Sequence, residues 1–377
     1  MTLWLLVSKL VRPLWVLLVT QLFLIALAVS VGTAADGRAE WEKTVSAAKA
    51  EGRLTLYGNP AYETIFAEFQ KRYPEIKVVY VLGRGAPQIL PRILSEQRAG
   101  KYIGDLFLAG LTPAFTLFQA GALSPMRPAL ILPEVVDLSK WWEGKHPFVD
   151  PDGQNIFAMN GMFRVEAVYN TSLVDPKDFK SYWDLLNPKW KGRIVMYRRP
   201  LAHLKFYYHH PDLGPKFLRR LFSETEVTPS GDMRQIASWL AVGKFALAIA
   251  APISDIMTAE KQGLPIGIFQ PGQFKEGVNM TVAAGSAALL KNAPHPNAAK
   301  VALNWLFSRE GQIAFQKNYA NVEGAADSLR IDIPKDEIRS EYRRRDGVRY
   351  LEIDRHEFSD PKPIDDLMKK FLKSPGR

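Results

Sequence analysis

The 377-residue chain has no cysteine. That excludes disulfide staples, thiolate metal sites, a cysteine nucleophile and an N-terminal lipid on cysteine. Histidine is scarce, with six in all, and His356-Glu357 has no second histidine four residues on. The helical zinc-hydrolase pattern is therefore absent. So are the Gly-x-Ser-x-Gly elbow, the phosphate-binding P-loop and the calcium-loop spacing. No short-period repeat occurs, which excludes solenoids. One long apolar run stands near the start and none follows it, so the remainder reads as a soluble globular chain. An excess of positive charge is present but modest: 49 Lys and Arg against 39 Asp and Glu, a formal +10. Such a balance fits an anionic ligand or an acidic surface. The most charged stretch, 330–377, mixes 13 basic with 11 acidic residues. It reads as solvated surface, not as an arm for nucleic acid.

What is present begins with an export segment. Lys9 and Arg12 form a basic start, and Leu14 to Val31 are 18 uncharged residues. Gly32-Thr33-Ala34-Ala35-Asp36 then offers small residues where a signal peptidase reads. Cleavage is expected after Ala35 or one residue earlier. An uncleaved anchor is the alternative, because 18 apolar residues can span a bilayer. Either way the rest works outside the cytoplasm. Removing the segment leaves 342 residues, enough for two domains of roughly 150 residues each.

Strand and helix signals alternate along this remainder, which predicts a parallel or mixed sheet covered by helices. Helices are expected over Trp41–Ala50, Ile65–Tyr73, Ile89–Ala99 and Phe115–Gln119, with strands at Leu54–Tyr57, Lys77–Leu82 and Asp105–Leu108. Residues 122–155 are irregular. Ile156–Met159 and Ala167–Asn170 read as strands crossing between domains, and the alternation then restarts at Arg193–Tyr197. Thr281–Leu290 reads as one strand or a pair, and Asn297–Lys317 as one long helix.

Several segments together resemble a known family. They are Trp41-Glu42-Lys43 through Gly52 and on to Tyr57-Gly58, then Phe66 to Pro74 with Ile76-Lys77-Val78, and the run Tyr182-Trp183-Asp184-Leu185-Leu186-Asn187-Pro188-Lys189-Trp190-Lys191-Gly192. The most specific is Ala293-Pro294-His295-Pro296-Asn297-Ala298-Ala299-Lys300, followed by Asn304-Trp305-Leu306-Phe307-Ser308-Arg309-Glu310-Gly311-Gln312. In these the chain resembles a bacterial extracellular solute-binding protein of the ferric-iron type, the receptor of an ABC importer. The resemblance implies an α/β, two-lobed type II periplasmic-binding-protein fold, with mixed sheets covered by helices and a ligand cleft between the lobes. It implies a signal peptide at 1–35, the first part of lobe one at 36–155, crossover strands and lobe two at 156–282, and a return to lobe one with C-terminal helices at 283–377. It further implies a monomeric periplasmic receptor that captures a small ligand or ion and hands it to an inner-membrane ABC permease. No catalysis, resident cofactor, metal or nucleic acid is expected. An exported enzyme on the same fold and a sensory binding protein are the rival readings.

Iron-binding relatives are expected to carry a tyrosine pair in lobe two. Here that place reads Gly243 to Asp255, without a tyrosine. Tyr207-Tyr208-His209-His210 is no substitute, because neighbours on a helix point about 100° apart; packing and capping are expected of it. Candidate ligand contacts lie on loops that follow strands, the cleft side of an open α/β sheet. Asn59 and Tyr62 follow the first strand. Arg84 lies in Gly83-Arg84-Gly85-Ala86-Pro87, where two glycines let the backbone approach an anion; Gln88 replaces the third glycine of a dinucleotide fingerprint. Thr112 follows the third strand. Arg198 and Arg199 can fork onto a carboxylate or phosphonate. Ser254 and Asp255 stand where the tyrosines are missing.

Overall fold

The computed structural model describes residues 37–82, 86–198, 201–251, 253–282, 285–323, 327–338, 343–354, 356–358 and 360–371. The export segment expected at 1–35 lies outside them. No helix among the described residues is long and apolar enough to cross a membrane.

Alternation of strand and helix holds from the start. Helix α1 runs through 37–51, followed by β1 (Arg53–Gly58), α2 (Ala61–Arg72), β2 (Lys77–Leu82), α3 (Ala86–Arg98), β3 (Leu106–Ala109), α4 (Leu111–Gln119) and β4 (Leu123–Ser124). The stretch to residue 155 is irregular apart from short turns of helix, among them α5 (Pro133–Val136). Next come β5 (Ile156–Ala158), β6 (Met162–Phe163) and β7 (Ala167–Asn170). The second alternation comprises β8 (Ile194–Tyr197), α6 (Leu201–His209), α7 (Gly214–Glu224), β9 (Thr228–Ser230), α8 (Met233–Ala241), β10 (Leu247–Ile249), α9 (Ile253–Lys261) and β11 (Ile266–Ile268). The return consists of β12 (Val278–Thr281), β13 (Ser286–Leu290), α10 (Pro296–Phe307), α11 (Arg309–Glu323), β14 (Tyr350–Glu352) and α12 (Lys362–Phe371).

These strands form three sheets. The first has the order β2-β1-β3-β13-β4, with β5 also on β13, and its first three strands are parallel. The second has the order β11-β7-β10-β8-β9, with β10, β8 and β9 parallel. Side chains alternate across it with the period of two that a strand imposes. Ile194, Met196, Leu247 and Ile249 enter the core under α6 and α7, while Val195 and Ala248 enter the core under α8 and α9. The third sheet, β14-β12-β6, joins the lobes, with β12 and β6 antiparallel.

Three residues separate β5 from β6, and three more separate β6 from β7. Both steps join the carboxyl edge of one sheet to that of the other. Gly58, Leu82 and Ala109 end strands on the first edge, beside Ser286 and Ala158. Tyr197, Ser230 and Ile249 end strands on the second, beside Ala167. Open α/β sheets bind ligands outside these ends, so the topology defines one cleft between the lobes.

Two expectations are refined. Of the stretch 281–290, Thr281 ends β12 and Ser286–Leu290 is β13, so the pair of strands is what forms. The single helix expected over 297–317 is two helices broken at Ser308. Ser308 is extended (φ −64°, ψ 169°), and its hydroxyl accepts the Gly311 N–H at 3.1 Å as an N-cap of α11. The C-terminal segment also divides its packing: Ile353 and Ile364 belong to the core of lobe two. We therefore propose 36–155 as the first part of lobe one, 156–282 as the crossover strands and lobe two, and 283–377 as the return to lobe one, with its C-terminal end resting on lobe two.

Candidate functional site

The lobe-one rim is built at the ends of β1, β3 and β5. Asn59 follows β1. Its N–H donates to Leu108 O at 3.0 Å, and its Oδ1 accepts the Ala61 N–H at 2.9 Å. The side chain thus caps α2 while its amide NH2 remains at the cleft edge. Tyr62, one residue into that helix, is 1% exposed and packs on Phe315 and Tyr319, with ring centroids 6.4 and 5.7 Å apart. Packing accounts for its burial. Thr112, in the first turn of α4, is exposed. Arg84 lies outside the described residues.

Asn160 was not anticipated. It leaves β5 toward the other lobe, is 0% exposed, and neither Nδ2 nor Oδ1 has a hydrogen-bond partner among the described residues. A Cβ on Gly285 would lie 2.6 Å from its Oδ1, so the amide lies against that backbone. A buried amide without partners costs about 1–3 kcal/mol, and such groups call for a functional explanation. The signal in the sequence was a polar residue directly after the apolar run Ile156–Met159.

The lobe-two rim carries the charged groups. Glu166 immediately precedes β7 and its side chain is 0% exposed. One carboxylate oxygen accepts His203 Nδ1 at 2.9 Å, and the other accepts the Asn279 amide. Its carbonyl accepts Ala250 N–H at 3.0 Å and the Tyr207 hydroxyl at 3.4 Å. Ala250 holds a left-handed backbone (φ 53°) at the end of β10. For alanine that conformation is strained by about 1–2 kcal/mol, and such strain collects at binding sites. Arg164 donates to Asn279 O through its N–H at 2.8 Å, and its Nη2 is 3.5 Å from Thr281 Oγ1. Its Nε is buried without a partner. Arg198 is exposed beyond β8, anchored by its N–H to Ser230 O at 2.8 Å, and its guanidinium lies over Gly231. Neither arginine pairs with a carboxylate of the described residues. Asp255 is half-buried in the first turn of α9. Arg199 lies outside the described residues, and so does the side chain of Ser254.

The run Tyr207–His210 packs and caps as expected. Tyr207 is buried, with Tyr182 edge-on at 5.3 Å; His209 stacks on Phe358; His210 Nε2 donates to Glu276 O at 2.8 Å. Burial, with Glu166 nearby, pushes both the Tyr182 and Tyr207 phenols well above their usual range, so phenolate is disfavoured at either. Among the described residues no three His, Cys, Asp or Glu side chains gather as a metal site. A cavity of about 380 Å³, lined in part by Trp142, His146, Phe148, Val282 and Glu352, lies beside β12 and β14.

Comparison with known proteins agrees with this architecture. Iron uptake protein A2 of Synechocystis is 26% identical over 295 residues, covering 71% of this chain and 77% of that protein. A Trichodesmium protein solved with iron and citrate is 21% identical, has a TM-score of 0.56, and covers 75% of this chain and 88% of its own. An ABC transporter structure from Clostridium perfringens is 13% identical, has a TM-score of 0.59, and covers 85% and 97%. Residues 57–313 match the family described as bacterial extracellular solute-binding protein, and the chain belongs to that family.

Proposed function

We propose that the protein captures a small organic anion in the cleft between its lobes and hands it to an ABC permease on the outer face of the inner membrane. The observation that carries the reading is the pair Arg164 and Arg198. Both stand at the cleft edge of lobe two, and neither has a carboxylate partner among the described residues. A cation held without a counter-ion beside a concave site favours a ligand that supplies one. Asn59, Thr112, Asn160 and Asp255 would add hydrogen bonds. Arg84, Arg199 and Ser254, and the more deeply packed Tyr62, complete the candidate set. The receptor role needs no chemical step.

Calorimetric titration with citrate, malate, phosphonates and sugar phosphates tests this. At least one should bind, and Arg164→Ala and Arg198→Ala should each weaken it by roughly ten- to hundred-fold, the ordinary weight of a charge-assisted contact. Wild-type affinity in both variants would remove the anion site from this edge.

A second reading has a specific observation behind it. Named relatives take up iron, and one was solved with iron and citrate together. Without the tyrosine pair, iron would arrive here already chelated by an organic anion. Ferric citrate binding more tightly than citrate alone would favour it; equal affinities would favour the free anion.

A further inference from the structure

We propose that His203 reads a hydroxyl group on the bound anion, so that the cleft selects hydroxylated anions over their deoxy counterparts. The inference rests on the anionic reading above. His203 lies in the first turn of α6, the helix that follows the cleft edge of β8. Its side chain is 16% exposed, against 0% for Glu166. A carboxylate only accepts hydrogen bonds, so the 2.9 Å contact with Glu166 puts a proton on His203 Nδ1. In the neutral ring the other nitrogen, Nε2, then carries the lone pair. Nε2 has no partner among the described residues and is not among their buried orphan atoms, so it reaches solvent.

Glu166 is itself held from several sides. The Asn279 amide occupies its second oxygen, and Ala250 N–H and the Tyr207 hydroxyl meet its carbonyl. With the ring neutral, Nε2 is therefore the acceptor at a rim where Arg164 and Arg198, which have no carboxylate partner among the described residues, are donors. A plain carboxylate or phosphate would satisfy the arginines and face the imidazole lone pair with another. A ligand that carries a hydroxyl next to its anionic group satisfies both. Hydroxycarboxylates and phosphates of polyols or sugars have that pattern. A bare metal cation does not, because the arginines oppose it.

Matched pairs test this at pH 8, where an imidazole is ordinarily neutral: citrate against tricarballylate, malate against succinate, and glycerol 3-phosphate against propyl phosphate. Titration calorimetry on the mature wild-type protein should show at least one pair in which the hydroxylated member binds about ten-fold tighter, the effect of one good hydrogen bond. His203→Leu should erase that preference by weakening the hydroxylated member, without weakening the deoxy member. His203→Gln, which keeps an acceptor oxygen, should restore part of it, and it serves if the leucine variant does not fold. Equal binding within every pair overturns the hydroxyl role and leaves the anionic reading standing. Equal weakening of both members in His203→Leu also overturns it, because the imidazole would then be a general contact. Failure of all six compounds to bind overturns this inference, and failure of the phosphonates and sugar phosphates as well removes the anionic reading.

Discussion

Asn160 is where burial and hydrogen bonding disagree. Its amide is buried without a partner among the described residues, so a side chain of similar size and no polarity should fit better there. Asn160→Leu is expected to raise the melting free energy by about 1 kcal/mol while weakening anion binding at least ten-fold. Scanning calorimetry and titration on the same preparation read both. A variant that loses stability would mean the amide holds the fold. His210 gives a pH prediction. Nε2 donates to Glu276 O, and Nδ1 accepts the Asp212 N–H at 3.1 Å, so both nitrogens are satisfied only in the neutral ring. Burial depresses its folded pKa below the ordinary 6.5, with the Arg349 charge adding to the effect. As pH falls below 6.5 the unfolded chain binds more protons than the folded one, so stability falls. The fall should be shallower in His210→Asn, followed by thermal melts between pH 5 and 8. Individual site residues were only partly legible. Loops after strands pointed to Asn59, Thr112 and Arg198, because strand order alone puts them at the edge. Asn160, Arg164, Glu166 and His203 were missed: their roles depend on partners as far apart in the chain as Glu166 and Asn279.

At the scale of elements, the long apolar spacing over Asn297–Lys317 concealed a break. Both halves bury apolar faces, so periodicity runs through Ser308 without interruption. The capping serine and Gly311 three residues on were the local signs. Gly311 matters for space: an added Cβ would meet Trp305 O at 1.9 Å and Leu306 Cα at 2.7 Å, both of them backbone. Gly311→Ala should therefore cost roughly 1–3 kcal/mol or more through overpacking, measured by urea unfolding. An unchanged midpoint would mean that the junction of α10 and α11 yields easily. Strand and helix alternation was otherwise readable, because β8 and β10 are buried on both faces and α2 and α8 on one. The irregular stretch 122–155 was readable only as irregular; its fold is set by contacts such as Asn304 Oδ1 accepting the Ile131 and Leu132 N–H groups at 2.9 and 2.8 Å.

For the whole molecule, two lobes joined by short crossing segments form a hinge, and ligand contacts from both rims would favour the closed arrangement. The two-lobed plan was legible in the restart of the alternation at residue 193. The packing of the C-terminal helix on lobe two was not, because its amphipathic face fits either lobe. The most direct test of the account is small-angle scattering of the protein from Asp36 onward, with and without the tightest binder from the anion panel. The radius of gyration should fall on binding, and the Arg164→Ala/Arg198→Ala double variant at the same concentration should stay extended. Tight binding with an unchanged scattering curve, or full compaction in the double variant, would contradict capture of an anion between the lobes.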